Sequence, residues 1–128
     1  MTTPFLCVLI AFVFAWVTRI PVFVAIRQAG KEIDNELPPR QMASLEGFGA
    51  RAVAAHRSAL DHLAPFVAAV LVAHLGDADP RRSAVLAIAF VVAQVLHTAA
   101  YLANIDYLRS FVWLIGFFTT LGLFLLAL

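Results

Sequence analysis

The chain has 128 residues, of which 62% are hydrophobic and 13% charged, and nine Lys and Arg against eight Asp and Glu give a formal net charge of +1. Soluble globular domains are closer to half apolar and a quarter charged, so this composition excludes a disordered chain and an ordinary soluble domain. The weak net charge and the absence of a nucleic-acid-binding motif argue against a nucleic-acid partner, and the single cysteine, Cys7, excludes an internal disulfide.

Four transmembrane helices are predicted from the segments of the sequence that contain no charged side chain. No charged side chain occurs in residues 1–18, 83–105 or 110–128, and each run is close to the roughly 20 residues that cross a bilayer. A shorter uncharged run, 62–76, becomes long enough when it is extended back through residues 50–60. Backbone in lipid must satisfy its own hydrogen bonds, so helices are expected. The chain is therefore predicted to be a single all-α membrane domain, a bundle of four transmembrane helices at roughly 3–27, 48–75, 82–104 and 107–127.

The first predicted helix is interpreted as a retained membrane span rather than a signal peptide. No basic residue precedes its apolar run and no Ala-x-Ala site follows it, whereas both features are typical of signal peptides. Pro21 lies inside this helix, where proline removes one backbone hydrogen bond. We therefore expect a kink near Arg19 and Ile20.

The one long hydrophilic segment is the loop 28–47 between the first two helices. Pro38 and Pro39 are expected to keep its backbone extended or turned and to exclude a helix there. A solvated connector is the favoured interpretation. The alternative is a semi-ordered cap over a site at this face of the membrane, held in place by Asp34, Asn35 and Arg40.

The Lys and Arg residues near the helix ends predict an orientation, because such residues are enriched on the cytoplasmic side. Five lie on the side of the long loop, and two lie between the second and third helices; they are Arg27, Lys31, Arg40, Arg51 and Arg109, against Arg81 and Arg82. The loop 28–47 is therefore expected to be cytoplasmic, and both termini non-cytoplasmic.

Asp79 and Pro80 are expected to cap and begin the third helix.

The second helix carries six polar residues within twelve positions, and a charge inside a membrane span costs about 2.5–3.5 kcal/mol on insertion scales. These residues are Arg51, His56, Arg57, Ser58, Asp61 and His62. Arg57 and Asp61 are four residues apart and are expected to form an ion pair. The pair alone would suit a purely structural role in helix packing. The number of polar residues favours a polar site for an anionic, hydrophilic ligand.

The third and fourth helices add polar residues that can reach the same membrane depth. Gln94, His97 and Tyr101 lie on one face of the third helix, and Arg109 and Ser110 open the fourth. Arginine binds carboxylates through a bidentate fork, and a Tyr or Ser hydroxyl can stabilise a thiolate by hydrogen bonding. These segments together predict a pocket on the side of the long loop.

Two other chemistries are less well supported by the residues. His56 and His62 are six apart, and no cysteine or acidic partner completes a metal-binding set, so no metal ligand is predicted. A four-helix proton channel is a further possibility, but too many arginines line the polar face for that function.

Three segments together resemble the MAPEG family, the membrane-associated proteins in eicosanoid and glutathione metabolism. They are residues 51–66, 97–102 and 108–110, and the Asp34-Asn35 and Pro39-Arg40 pairs are similar to the loop of bacterial members. The resemblance covers nearly the whole chain. It implies a four-helix protomer of a homotrimer in a bacterial inner membrane, with glutathione bound between neighbouring protomers near the cytoplasmic face.

The resemblance also implies roles for individual residues. Six match glutathione-site positions of the family: Arg51, Arg57, His97, Tyr101, Arg109 and Ser110. Three further site positions depart from the usual residue, with Ser58 in place of Asn, Asp61 in place of Glu and Gln94 in place of Arg. Arg109 and Ser110 would hold the glutathione thiol as a thiolate, and the carboxylate of Asp61 would bind the glutathione amine.

Two functions follow from this resemblance. The first is a glutathione-dependent transferase or peroxidase, whose lipophilic electrophile arrives from the membrane lipids. The alternative is a non-catalytic membrane protein of the same fold that binds a lipid or a protein partner. The departures at Ser58, Asp61 and Gln94 favour the alternative. The residues that favour the enzyme are the retained Arg57, Tyr101, Arg109 and Ser110.

Overall fold

The computed structural model describes residues 1–128, and its regular secondary structure is entirely helical. Four helical segments are long and apolar enough to cross a membrane, which confirms the helical pattern expected from the charge distribution. The first of these segments is divided into two helices, and a short helix lies in the loop that follows it. The helices are α1 Thr3–Val17, α2 Arg19–Gln28, α3 Pro38–Ala43, α4 Phe48–Leu75, α5 Pro80–Leu102 and α6 Asp106–Leu125.

The first segment is interrupted at Thr18, between α1 and α2. Pro21 has no N–H group with which to bond the carbonyl of Val17 one turn earlier, so the regular series of helical backbone hydrogen bonds is interrupted there. The break lies next to Arg19, as the position of the proline predicts. In contrast, α4 continues through Pro65 as a single helix of 28 residues.

The prediction that Pro38 and Pro39 exclude a helix was wrong, since α3 begins at Pro38. The first N–H groups of a helix have no partner within it, so two prolines at these positions cost no hydrogen bond. Asp34 Oδ1 accepts hydrogen bonds from the N–H groups of Glu36 and Leu37, which orders the approach to α3.

The rest of this loop is held by the side chain of Gln41. Its Oε1 accepts from the N–H of Asp34 at 2.9 Å, and its Nε2 donates to the carbonyl of Glu32 at 2.7 Å. In the alternative interpretation Asn35 and Arg40 would hold the segment together with Asp34, but both are exposed. The loop is therefore more ordered than a bare connector, and Gln41 was the residue that sequence reasoning missed.

The helices pack closely because most of the buried positions are small. Alanine accounts for much of the core along α4 and α5, and the largest buried contact stacks the rings of Phe66 and Phe90 with centroids 3.9 Å apart. At Gly116 of α6, an added Cβ would lie 3.4 Å from Nε2 of Gln94. Small residues at such positions let the helix backbones approach, as is typical of membrane helices.

The bundle has two ends, which we name by what lies there. At the loop end, α2 ends, α4 begins, α5 ends and α6 begins; at the termini end, α1 begins, α4 ends, α5 begins and α6 ends. The N-terminus of α5 is capped at the termini end by Asp79, whose Oδ1 accepts from the N–H of Arg82 at 2.7 Å. Pro80 is the first residue of that helix, as predicted.

Candidate functional site

His97 is the central residue of a polar cluster near the loop end. Its ring is 3% exposed and lies between α4 and α6. Nδ1 is 3.1 Å from the carbonyl oxygen of Arg109, and Nε2 is 3.0 Å from the hydroxyl of Ser58. A carbonyl only accepts, so Nδ1 carries the proton, and in the neutral ring Nε2 accepts from Ser58. This bridge fixes the first turns of α6 against α4.

The side chain of Arg109 is held by two neighbours. Its guanidinium carbon lies over the ring of Tyr101, 4.7 Å from the centroid, and its Nη1 is 3.5 Å from Oδ1 of Asp106. The edge of the Tyr101 ring meets His97, with the centroids 5.0 Å apart. Because 31% of the Arg109 side chain remains exposed, the guanidinium is positioned by these contacts and still accessible to a ligand. Ser110, the next residue, is exposed.

The side chain of Gln94 is hydrogen-bonded within the protomer. Its side chain is buried, its Nε2 donates to Nδ1 of His62 at 3.2 Å, and its Oε1 is enclosed without a hydrogen-bond partner. The ring of His62 also lies 5.9 Å from that of His97 and 6.1 Å from that of Trp113, centroid to centroid. Gln94 therefore connects α5 to α4 and does not reach the exposed surface.

The expected ion pair between Arg57 and Asp61 is absent. Both side chains are exposed, and the one ion pair in the structure joins Arg109 to Asp106. In Arg57 and Asp61 the basic residue precedes the acidic one, which is the less favourable order for an i, i+4 pair along the helix dipole. Both residues are therefore charges without an intramolecular counter-ion, on the outer face of a helix long enough to span the membrane.

Arg51, in the first turn of α4, is also without a counter-ion. Its Nε is fully enclosed and has no hydrogen-bond partner, while the residue as a whole is half-buried. A buried N–H group that lacks an acceptor is unfavourable, and most such groups in proteins are bonded.

The predicted site residues thus fall into two groups. The structure connects five of them directly across α4, α5 and α6, namely Ser58, Gln94, His97, Tyr101 and Arg109, with His62 completing the link to Gln94. The other four, Arg51, Arg57, Asp61 and Ser110, make no hydrogen bond or ion pair to that cluster and are half-buried or exposed.

Three contacts of the structure were not predicted from the sequence. His62 follows Ser58 by four residues and shares its helix face, so its place in the cluster was readable from spacing. Asp106 precedes Arg109 by three residues, and the same rule predicts their pair. The third contact, from Nδ1 of His56 to Oγ1 of Thr18 at 2.9 Å, joins α4 to the break in the first span and has no local sequence signal.

Chemically, the loop end offers cationic groups and hydroxyls. Arg51 and Arg109 lie in the first turns of α4 and α6, and Arg57 lies further along α4, where the carboxylate of Asp61 has no counter-ion. No cluster of three His, Cys, Asp or Glu side chains could hold a metal ion. The arrangement suits an anionic ligand that also carries a cationic group, bound through arginine forks.

A sequence model of the MAPEG family matches residues 3–128, essentially the whole chain. The match confirms the resemblance inferred from the segments on α4, α5 and α6. No curated protein matches the chain significantly.

Proposed function

The chain belongs to the MAPEG family, and from this premise we propose that it is a glutathione-dependent transferase or peroxidase acting on lipophilic electrophiles. The family includes glutathione transferases and peroxidases, and its members commonly use glutathione. With four apolar helices, the protein is a multi-pass integral membrane protein. The proposal further places residues 28–47 in the cytoplasm of a bacterial cell, where glutathione would enter the loop end.

The observation that carries the proposal is the set of unpaired charges on α4. Arg51 and Arg57 have no counter-ion within the chain, and neither has Asp61. Glutathione at neutral pH carries two carboxylates and one ammonium group. Two guanidinium groups and one carboxylate are therefore complementary to it in number and in sign, with Asp61 assigned to the ammonium group.

The same charges support a homotrimer with glutathione between protomers. An unpaired charge facing lipid costs about 2.5–3.5 kcal/mol at the centre of a span, so the face of α4 that carries Arg57 and Asp61 is unsuited to lipid contact. Arg51 and Arg57 are six residues apart, which separates them by about 120° around the helix axis. A ligand between two protomers would then meet Arg51 of one protomer and Arg57 of its neighbour.

In this proposal Arg109 and Ser110 stabilise the glutathione thiolate. The guanidinium of Arg109 is held over Tyr101 and beside Asp106, and His97 fixes the backbone from which it extends. In the transferase reaction the thiolate sulfur forms a bond to the electrophilic carbon, and the leaving group departs with its electron pair. Exposed apolar side chains on α6, such as Phe111 and Phe117, would guide a lipophilic substrate from the membrane lipids.

The proposal is tested by titrating glutathione into the detergent-purified protein by calorimetry. Arg51→Gln and Arg57→Gln should each weaken binding by about tenfold or more, since a charge-assisted hydrogen bond contributes about 1.5–3 kcal/mol. Arg57→Lys should weaken it less, because it keeps the charge and loses the bidentate fork. Arg81→Gln, at the termini end, removes the same charge and should leave binding unchanged. Equal affinities in all four variants would contradict the proposed site.

One observation favours the non-catalytic alternative, a MAPEG-fold protein that binds a lipid or protein partner. Ser58 and Gln94, two of the positions that depart from the family pattern, are hydrogen-bonded within the protomer to His97 and His62. Side chains used in this way are not free to bind a ligand. Conjugation of glutathione to a small aromatic electrophile separates the two functions, since only the enzyme forms the thioether faster than the uncatalysed reaction does.

A further inference from the structure

A cavity with several polar groups lies at the termini end, at the opposite end of the bundle from the candidate glutathione site. It has a volume of about 290 Å³ and is enclosed by the first turn of α1, the last turns of α4, the start of α5 and the end of α6. Its inner wall is apolar, formed by residues such as Phe5, Val70 and Leu123. Its polar groups are Thr2, His74, Asp77 and Ser83.

Ser83 supplies a buried hydroxyl that is left without a partner. The residue is 6% exposed, and its Oγ makes no hydrogen bond within the chain. Its N–H is already bonded to the carbonyl of Asp79, one turn earlier in α5. Buried hydroxyl groups in proteins are almost always bonded. Because Ser83 is one of the residues that line the cavity, its unpartnered hydroxyl is a candidate hydrogen-bonding group for a ligand there.

Asp77 supplies a carboxylate in an unfavourable place. It follows α4 with φ +53°, and the N–H of Ala78 bonds the carbonyl of Ala73 at 2.9 Å, which closes the helix in a Schellman motif. Glycine is the usual residue at this left-handed position. The negative charge also lies at the negative end of the helix dipole.

Asp77 takes part in no ion pair within the chain. Arg81 and Arg82 follow in α5 but are exposed, and the backbone N–H of Arg82 is bonded by Asp79. The end of α4 and the carboxylate of Asp77 therefore place negative charge beside a cavity with an apolar wall. A cationic group with an attached hydrocarbon portion matches both features.

We propose that this cavity binds a primary ammonium compound, whose ammonium group is held by Asp77 and whose neighbouring oxygen is hydrogen-bonded by Ser83. An ethanolamine unit has this chemistry, with an ammonium group and an oxygen on adjacent carbons. It occurs both as the headgroup of phosphatidylethanolamine and as the free amine. His74, whose ring meets Phe5 edge-on at 4.9 Å between centroids, closes one side of the cavity around the ligand.

The test is calorimetric titration of the full-length protein in detergent with four probes. These are free ethanolamine and short-chain phosphatidylethanolamine, phosphatidylcholine and phosphatidylglycerol. Binding of the ethanolamine lipid, with about tenfold weaker binding of the choline and glycerol lipids, supports the site, because a trimethylammonium group donates no hydrogen bonds. Comparable binding of free ethanolamine identifies the soluble amine as the ligand, whereas binding of the lipid alone identifies the membrane.

Three variants and one matched control decide whether the site is the one described. Asp77→Asn and Asp77→Gly both suit a left-handed backbone and remove the carboxylate, so each should weaken binding at least about tenfold. Ser83→Ala should weaken it by a smaller factor. Asp79→Asn removes the same charge two residues away, keeps the helix cap and should bind like the wild type. Equal binding by Asp77→Gly and Asp79→Asn, or equal binding of the three lipids, would overturn the proposal.

Discussion

His97 donates a hydrogen bond from Nδ1 to the backbone carbonyl of Arg109 at 3.1 Å, across the contact between α5 and the first turn of α6. The bond has a positional consequence, since the side chain of Arg109 extends from the same residue toward Tyr101. The orientation of the guanidinium thus depends on a buried imidazole that does not itself reach the exposed surface.

Removing the His97 imidazole is expected to destabilise the protomer. His97→Phe leaves the Ser58 hydroxyl without its partner and breaks the link to α6, so the free energy of unfolding should fall by about 1–3 kcal/mol. His74→Phe replaces an exposed histidine at the other end and should change it by less than about 0.5 kcal/mol. Reversible unfolding in mixed micelles measures both. Equal losses would show that the His97 bridge contributes no stability of its own.

The contact between Thr18 and His56 should stabilise the break in the first span. Thr18→Val keeps the side-chain shape and removes the nearer of two acceptors for Nδ1 of His56, leaving the carbonyl of Ala15 at 3.2 Å, and we expect a loss of about 1 kcal/mol. Thr119→Val is the matched control, because that buried hydroxyl donates only to a carbonyl of its own helix. Thermal unfolding should rank Thr18→Val as the less stable variant; the reverse order would contradict the role assigned to this contact.

Asp61→Asn should weaken glutathione binding and leave the protomer stable. The carboxylate has no partner within the chain, so its loss leaves no uncompensated charge behind, whereas the ligand ammonium would lose its counter-ion. The expected loss of affinity is about tenfold. Glu46→Gln, a neutralisation in the exposed segment before α4, should have no effect on binding. Wild-type affinity in Asp61→Asn would remove that residue from the site.

The protein in mild detergent should have three times the 13.9 kDa mass of one chain, as measured by light scattering corrected for bound detergent. A bulky residue on the charged face of α4 should disrupt this assembly. Ala64 is exposed one turn after Asp61, so Ala64→Trp should yield smaller particles. Val13→Trp, on the apolar outer face of α1, should remain trimeric. A monodisperse monomer or dimer in the wild type would exclude the trimer.

The orientation predicted from Lys and Arg is testable with single cysteines in a Cys7→Ala background. Lys31→Cys, in the long loop, should be shielded from an impermeant thiol reagent applied outside intact cells. Asp79→Cys, between α4 and α5, should react. The opposite pattern would reverse the assignment of the two ends of the bundle.

The helical spans could be predicted from sequence because they depend on local properties. Runs without charge identify lipid-compatible segments, and the proline at position 21 identifies the break at Thr18. The helix beginning at Pro38 was missed because the same residue type ends a helix or begins one, depending on whether its N–H would have had a partner.

The candidate site was only partly predictable, since its contacts join different helices. The spacing on α5 brought His97 and Tyr101 to one face, as the structure has them. Spacing alone could not tell that Gln94 turns inward to His62. The spacing also predicted an ion pair between Arg57 and Asp61, which the side chains do not form. Proximity on a helix permits an ion pair without requiring one.

The unpaired charges of α4 also bear on how the protein enters the membrane during synthesis. The insertion machinery evaluates a segment as it emerges, and each charge near the centre of a span adds about 2.5–3.5 kcal/mol to the cost of leaving the translocon. Earlier in the chain than α4, α1 has an uncharged apolar surface. After α4, α5 follows a connection of only four residues, 76–79. α4 is therefore expected to partition into lipid together with α1 and α5, so that biogenesis of this small protein is cooperative among its helices.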